Sequence, residues 1–393
     1  LHDLQADPYN GGSLVFSALV ALAGMAVTPS LLMLKAVAVG WNALGLALWM
    51  RLAERVAGRT TAHLLAACWI TAPPVFAVFN MVALGSHGDT IPMAALQWLL
   101  MLRYVDDPAR SPARLAAWAA AAGLGCWFGY VTAVPVAAAA AWAWACGALP
   151  LRAWPVAAGA FLAGVSPWIA YSAASGGTLE VLRVTFAGST AAASRGYLAT
   201  LADLVAHGVP VALYFRDAAS ATLPREVPAY GWLALYSAAF ASLLPSLARG
   251  MRAPAPDSGA TASVTSLRAR VAACPELPLL ALFPLFLMLV AASNQEFNDY
   301  GAVRWVTFRI LVPALPSALF ALALALARAP RMLRAFGLLV LLGAGALGSA
   351  QIEGDGHADR SAWEADARGL GAEAMGHLLV FKHGADPAGT TAI

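Results

Sequence analysis

Polar interruptions in an otherwise apolar chain carry the groups that could do acid–base or anion-binding chemistry. Gly85-Ser86-His87-Gly88-Asp89-Thr90 sets an imidazole and a carboxylate two residues apart, between the apolar runs 62–83 and 91–105. Such a pair can move a proton, hold a hydroxyl or contribute to a metal site. Further on, the stretch from Asn294 to Arg304 carries Glu296, Asp299 and Arg304, and Arg309 falls inside the apolar run that follows. An unpaired guanidinium there is costly, so an anionic partner is expected for Arg309, either a carboxylate or a bound phosphate. His2, Asp3 and Asp7 lie in the first polar segment. Lys35 stands near the start of an apolar run, where it can snorkel or face a bundle.

Simpler roles compete with each of these. Asp89 followed by Thr90-Ile91-Pro92 also reads as a helix start, with Asp at the terminus and Pro in the first turn. His87 reads equally as a hydrogen-bonded interfacial residue. His2-Asp3 and His87-x-Asp89 could together ligate a metal, but no spacing specifies one; no metal site is assigned, and a divalent cation is the one cofactor left open. His357-x-Asp359 reads as solvated surface. The four cysteines, Cys68, Cys126, Cys146 and Cys274, stand singly beside or within apolar runs, which disfavours thiolate-bound zinc or iron–sulfur clusters. No Walker loop, Gly-x-Gly-x-x-Gly, Gly-x-Ser-x-Gly or His-Glu-x-x-His occurs, against nucleotide-driven pumping and zincin-type proteolysis.

The elements that must position these groups are membrane helices. The 393 residues are 60% hydrophobic and 11% charged, where a soluble domain carries about 25% charge, so the solvent of this chain is lipid. A net charge of +3 is too small and scattered to recruit nucleic acid. Residues 13–27 form a run too short to span, expected as an interfacial or re-entrant helix. Ten spans are then expected, at 31–50, 62–83, 91–105, 115–131, 132–149, 154–173, 232–247, 277–293, 306–327 and 336–350. The fold class is therefore an all-α polytopic membrane protein, its domain covering 1–350 with a polar outer tail at 351–393. Residues 175–230 form a long outer loop ending at Pro224 and Pro228, and 249–273 a Pro/Ser/Ala-rich cytoplasmic linker. Alanine-rich runs (116–122, 137–141) and Gly343, Gly345 and Gly348 are expected as packing surfaces.

Placing the loop Arg51–Arg59 in the cytoplasm puts 14 basic and five acidic residues on that side, against ten and 16 outside. The outer face then holds residues 1–30, the Gly85–Asp89 break, the long loop, Asn294–Arg304 and the tail.

Four stretches, in order, resemble the polytopic GT-C glycosyltransferases, specifically the bacterial members related to protein mannosyltransferases and aminoarabinose transferases. They are Tyr9-Asn10-Gly11-Gly12-Ser13 leading to Pro29-Ser30-Leu31; Met81 to Asp89; Gly164-Val-Ser-Pro167-Trp168-Ile-Ala-Tyr171; and Arg309-Ile-Leu-Val-Pro313-Ala-Leu-Pro316. They cover roughly residues 9–330, each alone of low specificity. The resemblance implies a GT-C-like bundle in a bacterial inner membrane with its active face outward. It further implies a polyprenyl-phosphate-linked sugar donor and inverting transfer to a lipid, glycan or protein acceptor. Asp3 or Asp7 would be the general base; His87 and Asp89 would shape the pocket with Asp299; Arg304, Arg309 and Lys35 would bind phosphate. Family members begin with a membrane helix that delivers the catalytic Asp. That helix does not precede Asp3 here, and a truncated amino terminus is expected. A transporter or lipid flippase, or a non-catalytic membrane subunit, are the alternatives; oligomeric state is not legible.

Overall fold

The structure is a computed structural model and describes residues 14–28, 30–81, 87–174, 196–214, 223–252, 274–292 and 311–347. Every regular element among them is helical. In chain order these are α1 (Leu14–Ala26), α2 (Leu31–Ala57), α3 (Arg59–Ile70), α4 (Pro74–Met81), α5 (Ile91–Val105), α6 (Pro112–Phe128), α7 (Ala133–Ala145) and α8 (Trp154–Ala174). Then come α9 (Tyr197–Asp203), a π-helical turn at Leu204–Gly208, α10 (Val209–Tyr214), α11 (Leu223–Arg252), α12 (Leu277–Ala292), α13 (Leu315–Arg328) and α14 (331–347). Segments 32–57 and 151–170 are each long and apolar enough to cross hydrocarbon unaided.

Local chemistry explains the boundaries. Ser30 caps α2, its hydroxyl accepting from the Met33 N–H at 3.1 Å. Gly58 ends α2 at φ 89°, a left-handed conformation suited to glycine, and its N–H bonds the Glu54 carbonyl at 3.0 Å. The apolar run 62–83, expected as one span, is two helices. Pro73 and Pro74 have no N–H to donate to a continuing ladder, and the Thr71 hydroxyl turns back onto the Ala67 carbonyl at 3.0 Å. Conversely, the expected loop end at Pro224 and Pro228 is helix: α11 runs 30 residues from Leu223. A first-turn proline gives up only an N–H with no intrahelical acceptor, so Pro224 does not stop it. The expected interfacial segment is α1, packed on α2 through Phe16 and Trp41.

The core is centred on α13, in which Leu315 through Leu324 are all buried. A helix apolar on every side belongs at the middle of a bundle. Ser317 is its one polar residue in that stretch. Its hydroxyl donates to the Leu279 carbonyl at 2.5 Å and accepts from the Phe283 N–H at 3.2 Å, entering the ladder of α12 one residue before Pro284. Phe283 in turn meets Tyr236 and Trp232 of α11 edge-on.

Helices α6 and α8 touch backbone to backbone. A Cβ on Gly123 would lie 2.1 Å from the Phe161 carbonyl oxygen, and one on Gly164 2.1 Å from that of Ala120. The 116–122 run is thus a packing surface, as expected. Gly345 also abuts Thr71, whereas Gly343 faces open space.

Arginines gather where α2, α5 and α7 end and α6 and α8 begin. Arg55 pairs with Asp106, Arg114 with Asp107 at 3.4 Å, and Arg110 donates to the Gly147 carbonyl at 2.6 Å. Arg328 at the end of α13 pairs with Glu276 just before α12 at 2.9 Å, and Arg334 donates to the Leu326 and Ala327 carbonyls at the end of α13.

Candidate functional site

Away from the arginines, three single-turn 3-10 segments lie at helix starts: His87–Thr90 before α5, Tyr130–Thr132 before α7 and Val312–Ala314 before α13. The first packs against both others and against α4. The polar break is therefore a junction, and what joins it is readable residue by residue.

Trp41 and Trp49 of α2 donate their indole N–H groups to the backbone on either side of Thr90, at 2.8 Å to the Asp89 carbonyl and 3.2 Å to the Ile91 carbonyl. Between them Gly45 lies under the start of α5, where a Cβ would be 3.3 Å from Ile91 and Pro92 side-chain carbons. Residues 41, 45 and 49 share one helix face, so α2 presents a tryptophan, a gap and a tryptophan to the turn. Trp41 is stacked on Phe128 at 5.9 Å and meets Phe16 edge-on at 6.4 Å, tying α1 and α6 to the same point. At Gly129 a Cβ would come 2.6 Å from the Thr90 methyl, so the Tyr130 turn can approach only because that position lacks one. The Thr132 hydroxyl closes this turn on the Gly129 carbonyl at 2.7 Å.

Asp89 is 7% exposed and Thr90 1%. Asp89 stands inside the junction, not at the water boundary that the break suggests, because two other turns and α4 pack against its own turn. The N-cap of α5 is Thr90, whose side chain makes no capping bond, and Pro92 occupies the first turn. A carboxylate excluded from bulk water interacts strongly with any hydroxyl or cation that reaches it. Two turns along α5 lies Gln97, 1% exposed, its amide oxygen and nitrogen both without a partner among the described residues. It fits because Gly125 has no side chain; a Cβ there would sit 2.1 Å from the amide nitrogen.

Of the sequence candidates, Asp89 is at the centre of the junction and the backbone of His87 begins the same turn. Lys35 is exposed on α2, about 120° around the helix from Trp41, so it does not share the face that meets Asp89. Asp3, Asp7, Asp299, Arg304 and Arg309, and the His87 side chain, lie outside the described residues. The turn Val312–Ala314 does bring the continuation of the Arg309 stretch against the break. Among the described residues no three His, Cys, Asp or Glu side chains are grouped to hold a metal.

Sequence reasoning missed Trp41, Gly45, Trp49 and Gln97. Their signal was present as a Trp-x3-Gly-x3-Trp face and as an amide within an apolar run. Gly164, noted for its resemblance to a motif, lies at the α6–α8 crossing.

No family model matches this chain, and no curated protein does. Among solved structures it is similar to the crystal structure of ArnT from Cupriavidus metallidurans bound to undecaprenyl phosphate, at 15% identity and a TM-score of 0.49. That match covers 85% of this chain and 53% of the other, so the chain spans about half the length of the structure it matches. A likeness of that degree carries no weight for chemistry.

Proposed function

We propose that this chain is the membrane-embedded part of a GT-C-type glycosyltransferase with about ten spans, the one at 62–83 broken at Pro73-Pro74. It transfers a sugar from a polyprenyl-phosphate-linked donor to a lipid, glycan or protein acceptor at the outer face of a bacterial inner membrane. The observation that supports this reading is the packing of His87–Thr90 against Val312–Ala314. These segments are distant in sequence and belong to two of the four stretches that resemble the family. A buried carboxylate therefore stands beside the helix start that follows Arg309, where one ligand can meet both.

In this reading Asp89 accepts a hydrogen bond from a hydroxyl of the bound substrate, and His87 lines the same pocket with Asp299. Arg304 and Arg309 neutralise the donor phosphate, which leaves as an anion when the glycosidic bond forms. Lys35, on the outward side of α2, meets lipid phosphate at the membrane surface. The base that removes the acceptor proton is Asp3 or Asp7.

The test is transfer from radiolabelled polyprenyl-phosphate sugars by membranes containing the full-length protein, with Asp89→Asn alongside. Labelled product that falls with Asp89→Asn supports the proposal. No product with any donor, together with no donor-induced thermal shift, sinks it.

A further inference from the structure

We propose that the arginine-rich end of α5–α8 binds the headgroup phosphate of an anionic phospholipid, with Arg110 and Arg152 as its principal ligands. The inference rests on the chain being membrane-embedded, not on sugar transfer.

The site is built rather than merely charged. Arg110 is a non-glycine residue in the left-handed region, at φ 45°, a conformation that costs free energy and persists only when its surroundings hold it. What holds it is its own guanidinium, donating to the Gly147 carbonyl at 2.6 Å, and its N–H, donating to the Asp107 carbonyl at 2.9 Å. The next residue, Ala148, accepts the buried Tyr104 hydroxyl at 2.9 Å. Four residues on, a 3-10 turn at Leu151–Ala153 presents Arg152, and both arginines lie within electrostatic reach of that hydroxyl. Arg152 is exposed and has no carboxylate partner among the described residues. Nearby, Asp107 is occupied by the Ala109 and Ser111 N–H groups and by Arg114. Arg110 is thus held in place, and the exposed Arg152 projects from the turn beside it, with no carboxylate paired to either among the described residues.

The occupant is identified as lipid by what adjoins the charge. Leu151 is 82% exposed, and Trp154 is half exposed at the start of α8. On the same side of α8 as Trp154 the exposed apolar surface continues through Leu162 and Ile169. An indole at the helix end, an apolar strip running away from it and cations beside it match a headgroup and its acyl chains. Free phosphate would use the cations and leave the strip without a role.

The experiment measures the unfolding temperature of the full chain in nanodiscs of phosphatidylcholine alone, of phosphatidylcholine with phosphatidylglycerol, and of phosphatidylcholine with added inorganic phosphate. Phosphatidylglycerol is expected to raise the midpoint by about 2–4 °C, the shift produced by roughly ten-fold excess over the dissociation constant. Arg152→Gln should abolish that increment while leaving the midpoint in phosphatidylcholine unchanged, and Arg59→Gln, at an exposed arginine of the same end but on α3 and outside the Arg110–Arg152 corner, should retain it. Equal midpoints in the two lipids would overturn the proposal. So would an increment that survives Arg152→Gln, or an equal rise with inorganic phosphate, which would make the site one for free anions. A chain that does not enter nanodiscs would instead contradict the membrane reading itself.

Discussion

Gly164→Ala offers a sharp test of the packing. The added Cβ would lie 2.1 Å from the Ala120 carbonyl oxygen and 2.8 Å from the Leu124 nitrogen, both backbone atoms that cannot rotate aside. Restoring an ordinary contact of roughly 3.4 Å requires α6 and α8 to part by about 1.3 Å, which loosens the whole crossing. Overpacking of this kind costs about 1–3 kcal/mol, against which alanine returns up to about 1 kcal/mol of helix propensity. With the full propensity gain, a net loss of up to about 2 kcal/mol is expected. Gly159→Ala on the same helix is the control, because nothing lies within 4 Å of its new Cβ. It gains the propensity without the clash, so the difference between the variants isolates the steric cost. Cys68, Cys126 and Cys274 are buried, which suits a thiol-reactive dye that reports unfolding in detergent. Gly164→Ala should unfold several degrees below wild type and Gly159→Ala at or above it. Equal midpoints for the two variants would refute the close crossing.

Other perturbations probe the junction and the arginine-rich end. Trp41→Phe keeps a ring on Phe128 but leaves the Asp89 carbonyl without its indole donor, and should cost about 1–3 kcal/mol in the same unfolding assay. Ser317→Ala removes both bonds into α12; the Leu279 carbonyl and Phe283 N–H can then pair with each other, so a smaller loss of about 0.5–1.5 kcal/mol is expected. The Ser111 N–H, the Ala109 N–H and Arg114 hold the Asp107 carboxyl below the usual carboxylate range. A depressed value means the contribution is present above the unfolded pKa and lost as pH falls through the folded one. The stability gap between wild type and Asp107→Asn should therefore be constant near neutrality and close only in acid below the ordinary carboxylate range, as read from midpoints across pH.

The helices were legible because long apolar runs bounded by Pro, Gly and arginine leave few alternatives to helix. Their breaks were less so. Pro73-Pro74 split a run that hydropathy alone joins, while Pro224, expected at the end of a loop, lies in the first turn of α11, since a proline's effect depends on whether its N–H had an acceptor. Asp89 was found from composition, but its burial was not, because closure over it comes from turns some 40 and 220 residues away along the chain. Trp41 and Trp49 were not singled out in the sequence, because their role lies in indole bonds to a distant backbone that hydropathy does not describe. Lys35 stands on the wrong face of α2 to share Asp89's ligand directly, a point fixed by helical phase and not by residue type.

Sugar transfer by the full-length protein is the direct measurement of the central claim. With a polyprenyl-phosphate-linked donor, Asp89→Asn is expected to lower kcat/KM by about 10–100-fold, the loss of one charge-assisted hydrogen bond. Transfer that is indifferent to Asp89→Asn would contradict the assignment of the buried junction as the substrate site, and absence of transfer with any donor would contradict the function itself.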